Sequence, residues 1–262
     1  MTAGEAFAAL VEVMHRLRAP GGCPWDGEQT HDSLKPYLIE EAYEVIEALD
    51  AKDDEEFCSE LGDLLLQVVF HAEIAQETKR FSIADVTRAI TEKMIRRHPH
   101  VFADTKVSSS AEVLDNWSKI KAEERKNKNA EDRSALAGVP RAMPALLRAQ
   151  RLGEKAGSVG FDWNEAEGVV AKMREELDEL EEALRSGDLD AAATELGDLL
   201  FAGTSLARHI DRSAEEALTG SIERFVQRFR FMEEELLRRG QDIREVPPDE
   251  LETLWQAAKR RG

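Results

Sequence analysis

Glu60-Leu61-Gly62-Asp63-Leu64-Leu65 returns as Glu195-Leu196-Gly197-Asp198-Leu199-Leu200. Each copy is preceded by a second acidic element, Glu40-Glu41-x-x-Glu44 and Glu175-Glu176-x-x-Glu179. Matching residues stand 135 positions apart, as Glu41 does from Glu176 and Asp63 from Asp198. Residues three apart share one face of a helix, so Glu41/Glu44 and Glu60/Asp63 each aim two carboxylates in one direction. The stretches between the elements, Asp50-Ala51-Lys52-Asp53-Asp54 and Arg185-Ser186-Gly187-Asp188, are turn sequences. Each motif therefore predicts an antiparallel helix hairpin with four carboxylates along one seam.

Four negative charges at that separation repel and raise one another's pKa unless a hard, oxygen-seeking cation such as Mg²⁺ neutralises them, with Mn²⁺ as a substitute. In a chain that is 34% charged, one isolated Glu-Glu-x-x-Glu reads as a solvated helix face. Duplication changes the reading. Leu61, Leu64, Leu65, Val68 and Val69 also set the Glu60/Asp63 pair beside an apolar stripe, where undirected carboxylates are costly. The predicted metal ligands are Glu41, Glu44, Glu60 and Asp63 in the first half, and Glu176, Glu179, Glu195 and Asp198 in the second.

Working outward, Ala, Leu, Glu and Arg dominate and apolar residues recur at spacings of three and four, which predicts an all-α chain. Helices are expected over 3–18, 33–49, 53–78, 82–97 and 110–125, then over 140–154, 164–185, 188–209, 213–239 and 248–260. The repeat divides the 262 residues into two helical bundle domains, 1–125 and 136–262, joined by a polar linker over 126–135.

A formal charge of −18 argues against nucleic acid or an anionic membrane as partner. It leaves room for a phosphorylated substrate bridged by cations. Cys23 and Cys58 are too few for a disulfide framework or a zinc site, which suits a reducing cytoplasm. Met1–Pro20 is amphipathic rather than a signal peptide, and no apolar run approaches the roughly 18 residues of a membrane helix.

Cations and rings repeat as well. Glu92-Lys93-x-x-Arg96-Arg97 is matched by Glu223-Arg224-x-x-Gln227-Arg228, and Trp117-x-x-x-Lys121 by Trp255-x-x-x-Lys259. Such residues suit a nucleotide, cations for phosphate and a ring for a base. Each also has a plain structural reading: Arg97 can favour a helix C-terminus, and Trp255 can be core. One difference separates the halves. Lys172 stands one helical turn before Glu176, whereas Tyr37 stands before Glu41.

These motifs, together with Gly22-Cys23-Pro24-Trp25-Asp26, Arg96-Arg97-His98-Pro99-His100-Val101-Phe102 and Val159-Gly160-Phe161-Asp162-Trp163, resemble the MazG family over essentially the whole chain. That family comprises nucleoside triphosphate pyrophosphohydrolases of the all-α NTP pyrophosphatase superfamily. The resemblance implies a homodimer that binds nucleotides such as ATP. It would hydrolyse NTP or dNTP to the monophosphate and pyrophosphate with Mg²⁺, in nucleotide-pool cleansing or a stress response. It implies that the second domain is the active one. There Glu176, Glu179, Glu195 and Asp198 would hold Mg²⁺, Lys172, Arg224 and Arg228 would contact phosphates, and Trp255 and Lys259 would hold the nucleotide. Val226-Gln227 departs from the more polar or basic residues expected there. Glu175, beside a ligand but about 100° round the helix, reads as a water-orienting base or as a solvated neighbour.

Two other readings compete. Glu12-x-x-His15 and Glu28-x-x-His31 have the spacing of a di-iron carboxylate bundle, but Leu147/Gln150 and Trp163/Ala166 stand at the corresponding positions of the second half. A non-enzymatic regulatory or scaffold protein would explain acidic faces without explaining their paired spacing. No Walker-type phosphate loop occurs.

Overall fold

A computed structural model describes residues 1–110, 112, 113, 116, 117, 119, 120, 124 and 134–261. Among them the chain is helical throughout, without a strand. It divides into two compact units, Met1–Arg125 and Lys126–Gly262. Residues 126–133 of the expected linker, and Lys121 with much of the helix expected over 110–125, lie outside the described residues.

The first unit contains α1 (Ala3–Arg18), α2 (Pro24–Glu28), α3 (Lys35–Ala51), α4 (Asp54–Glu77), α5 (Ile83–Arg97) and α6 (Pro99–Phe102). Thr2 opens α1 and Ser82 opens α5, each in a reciprocal capping box with the acid three residues on. The core gathers Met14 of α1, Leu34, and Val69, Phe70 and Ile74 of α4. The α3–α4 hairpin turns through Lys52, left-handed at φ 57°, and Asp53, whose carboxylate accepts from the Glu55 and Glu56 N–H groups.

The second unit contains α7 (Ala145–Gly157), α8 (Ala166–Ser186), α9 (Leu189–His209), α10 (Ala214–Arg238), a 3-10 turn (Ile243–Glu245) and α11 (Pro248–Lys259). Its hairpin, α8–α9, turns at the corresponding place. Gly187 takes the left-handed conformation at φ 79°, and Asp188 caps α9 through the Ala191 N–H. Met232, Leu236, Val246 and Leu254 form a core between α10 and α11.

The short α2 and α6 were not expected. Both begin on proline after a turn, at Pro24 and Pro99, where the missing N–H costs nothing. The helix expected over 140–154 begins instead at Ala145, because Pro144 at the N-cap has non-helical backbone, φ −47° and ψ 141°. No helix of the described residues is long and apolar enough to cross a membrane.

Candidate metal and nucleotide site

Both hairpins bring their acids together. Ligand oxygens of Glu41, Glu44 and Glu60 lie within 4.8 Å of one another, as do those of Glu176, Glu179 and Glu195. Asp63 and Asp198 stand outside these tight groups but act on them: Asp63 raises the pKa of Glu41, and Asp198 that of Glu195. In all three affected acids, Glu41, Glu60 and Glu195, burial is the first cause of the upward shift and repulsion from neighbouring carboxylates follows. Glu176 is the most enclosed acid, 5% exposed.

This arrangement fits a divalent cation. Oxygen donors converge from two helices, and their charges destabilise one another without a counterion. The first site also holds Gln67, buried at 6% exposure, which hydrogen-bonds Glu41 while its Oε1 has no partner. The sequence reading missed Gln67. Its signal was a lone amide inside the apolar stripe of α4, at a position where the second unit has Ala202.

Lys172 Nζ pairs with Glu176 Oε1 at 2.7 Å and Glu175 Oε1 at 2.6 Å. Hydrogen bonds to Glu175 and Glu176 push its pKa above the usual lysine range. In the first unit, Tyr37 packs edge-on against Trp25, with ring centroids 6.0 Å apart.

Between α10 and α11, Arg228 Cζ and Lys259 Nζ each sit 5.9 Å from the centroid of the Trp255 ring, and Phe225 packs on that ring at 5.3 Å. Arg224, Arg228 and Arg261 line a cavity of about 210 Å³ with Gln227, Phe231 and Ala258. Arg224 donates to Ser221 Oγ at 2.7 Å. Among the described residues no carboxylate pairs with Arg224, Arg228 or Lys259.

The first unit differs here. Arg96 and Arg97 both bind Glu124, at 2.7 and 2.6 Å, and the two guanidiniums hold its carboxyl down at about 2. Trp117 lies 5.8 Å from Arg97. The position as far beyond Trp255 as Glu124 is beyond Trp117 is Gly262, which carries no side-chain carboxylate.

The histidines proposed for a di-iron site are engaged elsewhere. His15 Nδ1 pairs with Glu73 at 2.7 Å, and His31 Nδ1 with His71 Nδ1 at 2.8 Å. Among the described residues neither joins a cluster of three potential metal ligands.

Comparison with known proteins agrees with the duplication. The model of the MazG nucleotide pyrophosphohydrolase domain matches residues 29–102 and again 164–233. Thermotoga maritima nucleoside triphosphate pyrophosphohydrolase/pyrophosphatase MazG is 47% identical over 98% of this chain and 97% of its own length. The Escherichia coli K12 nucleoside triphosphate pyrophosphohydrolase is 46% identical over 96% of each chain. An uncharacterized Bacillus subtilis protein, YabN, is 43% identical over 97% of this chain but 51% of its own. With two matched domains and full-length relatives at this identity, the chain belongs to the MazG nucleotide pyrophosphohydrolase family.

Proposed function

We propose that the second unit hydrolyses nucleoside triphosphates to the monophosphate and pyrophosphate, and that Glu176, Glu179, Glu195 and Asp198 hold Mg²⁺ for it. The observation that carries the reading is the convergence of Glu176, Glu179 and Glu195 within 4.8 Å, with Lys172 on Glu176. The relatives' names support the reaction class.

When bound, divalent ions supply positive charge for phosphate oxygens and an acidified water. The protein's own residues bind and orient. Arg224 and Arg228, which pair with no carboxylate among the described residues, are available to phosphate oxygens as charge-assisted donors. Trp255 offers a ring face for a base, with Lys259 over it. Lys172 is a fixed cation at the edge of the acidic group, placed to offset charge that develops on the phosphates. Glu175, exposed and bound to Lys172, serves as its anchor. Water attack forms a new bond to the α-phosphorus and breaks its bond to the bridging oxygen, so that pyrophosphate leaves and the water's proton passes to solvent. In the first unit Glu124 already engages both arginines, so that unit holds metal or supports assembly.

The exposed leucines of both hairpins support a homodimer. The acidic charge disfavours nucleic acid, and the free cysteines Cys23 and Cys58 suit a cytoplasmic setting in nucleotide-pool cleansing or stress response. Hydrolysis in ¹⁸O-labelled water tests the chemistry. Label in the monophosphate supports it, whereas labelled orthophosphate with a nucleoside diphosphate rejects it.

A further inference from the structure

The cation and ring assigned above to nucleotide in the second unit have counterparts in the first. In the repeated motifs Arg97 corresponds to Arg228 and Trp117 to Trp255. The guanidinium carbon lies 5.8 Å from the ring centroid in the first pair and 5.9 Å in the second. His98, whose Nδ1 donates to the Met94 carbonyl at 2.7 Å, flanks the Trp117 ring at 6.0 Å. The cation–ring pair is therefore built alike in both units.

Two residues set the first unit apart. Arg96 stands where the second has Gln227, and Glu124 where it has Gly262. Glu124 uses both of its oxygens. Oε1 accepts from Arg96 Nε at 2.7 Å, and Oε2 accepts from Arg97 Nη2 at 2.6 Å and Nε at 3.2 Å. A carboxylate with one oxygen on each guanidinium takes up the N–H edges that a phosphate group would use. The side chains of Glu124 and Arg97 are each only 18% exposed. With its carboxyl held at about 2 by the two guanidiniums, Glu124 stays ionised at neutral pH and does not release them on its own. Being part of the chain, it competes with a free anion at an effective concentration on the order of millimolar.

We propose, resting on the reading of Arg228 and Trp255 given above, that Glu124 is a tethered stand-in for phosphate: an autoinhibitory contact that closes Arg96 and Arg97 to the phosphate groups of a nucleotide or of pyrophosphate. A bridge that merely tied Glu124 to α5 would leave no binding site when removed. A phosphate stand-in leaves two adjacent guanidiniums beside an aromatic ring.

Calorimetry on the full chain with Mg²⁺ separates the two, using inorganic pyrophosphate and α,β-methylene-ATP, whose bridge resists cleavage, as probes. A background of Arg228→Ala and Trp255→Ala removes the second unit's contacts. In that background Glu124→Ala should create one saturable site per chain, at least about tenfold tighter than in the background alone, and adding Arg97→Ala should abolish it. Gain with pyrophosphate alone identifies a bare phosphate site, and gain with the analogue a nucleotide site. Glu124→Gln, which removes the charge and keeps the volume, serves if Glu124→Ala does not fold. A folded Glu124 variant that binds neither probe more tightly than the background, or whose gain survives Arg97→Ala, overturns the proposal. The parent chain reads the second unit separately: failure of the analogue to bind there counts against the pyrophosphohydrolase reading, not against a site gained in the first unit.

Discussion

Lys172 Nζ lies 2.7 Å from Glu176 Oε1, one helical turn from an acid that is otherwise enclosed, while Tyr37 occupies the corresponding turn before Glu41. In the proposed reaction a lysine there would offset charge on phosphate, and a phenol would do so weakly. Lys172→Tyr is expected to lower kcat by about ten- to hundredfold with the fold intact. Circular dichroism and steady-state kinetics on the same preparation measure both. A variant with unchanged kcat removes Lys172 from the active machinery.

The two acidic groups should respond differently to neutralisation. Glu176→Gln, Glu195→Gln and Asp198→Asn are each expected to reduce turnover by at least about a hundredfold, the scale of a lost stabiliser of transition-state charge. Glu41→Gln and Asp63→Asn should leave most of it, because Arg96 and Arg97 of that unit are committed to Glu124. The opposite pattern in parallel assays would move catalysis to the first unit.

Asp162 supplies a pH-dependent prediction. Its hydrogen bond to Arg208 outweighs partial burial, and His209 adds to it, holding the carboxyl at about 2. A depressed folded-state pKa contributes stability that is present above the ordinary aspartate value and lost as pH falls through the folded one. The contribution is about 1–2 kcal/mol after allowing for solvent at a partly exposed pair. Asp162→Asn should therefore lie below the parent in urea midpoint at pH 6, with the gap closing between about pH 4 and pH 2. A gap that does not vary with pH would assign the loss to packing instead.

The hairpins were legible because their information is local. Helical spacing, a turn of Lys52-Asp53 or Gly187-Asp188, and a repeated sequence are each contained in a short window. Glu41, Glu44 and Glu60, and likewise Glu176, Glu179 and Glu195, follow directly from that. The Arg96–Arg97–Glu124 lock was not legible, since nothing local says which of many acids will reach a guanidinium from a later stretch of chain. The pairing of His31 with His71 is similarly remote.

The last prediction concerns assembly. Leu61 and Leu65 of α4 are 44% and 40% exposed, and their counterparts Leu196 and Leu200 of α9 are 48% and 54% exposed. The same leucines stand open in both units, on the helices that carry Glu60 and Asp63 and Glu195 and Asp198. Contiguous apolar surface of this kind marks an interaction face, and a second copy of the chain brings a matching one. Since either unit could hold the pair together, one substitution is insufficient. The double variant Leu65→Glu, Leu200→Glu places a charge in both faces and is expected to weaken self-association by about a hundredfold or more, given the cost of burying an unpaired carboxylate. Sedimentation equilibrium from low to tens of micromolar protein should show a dimer for the parent and a monomer for the variant. A parent that stays monomeric over that range, or a variant that associates as tightly as the parent, places the dimer contact elsewhere or removes it.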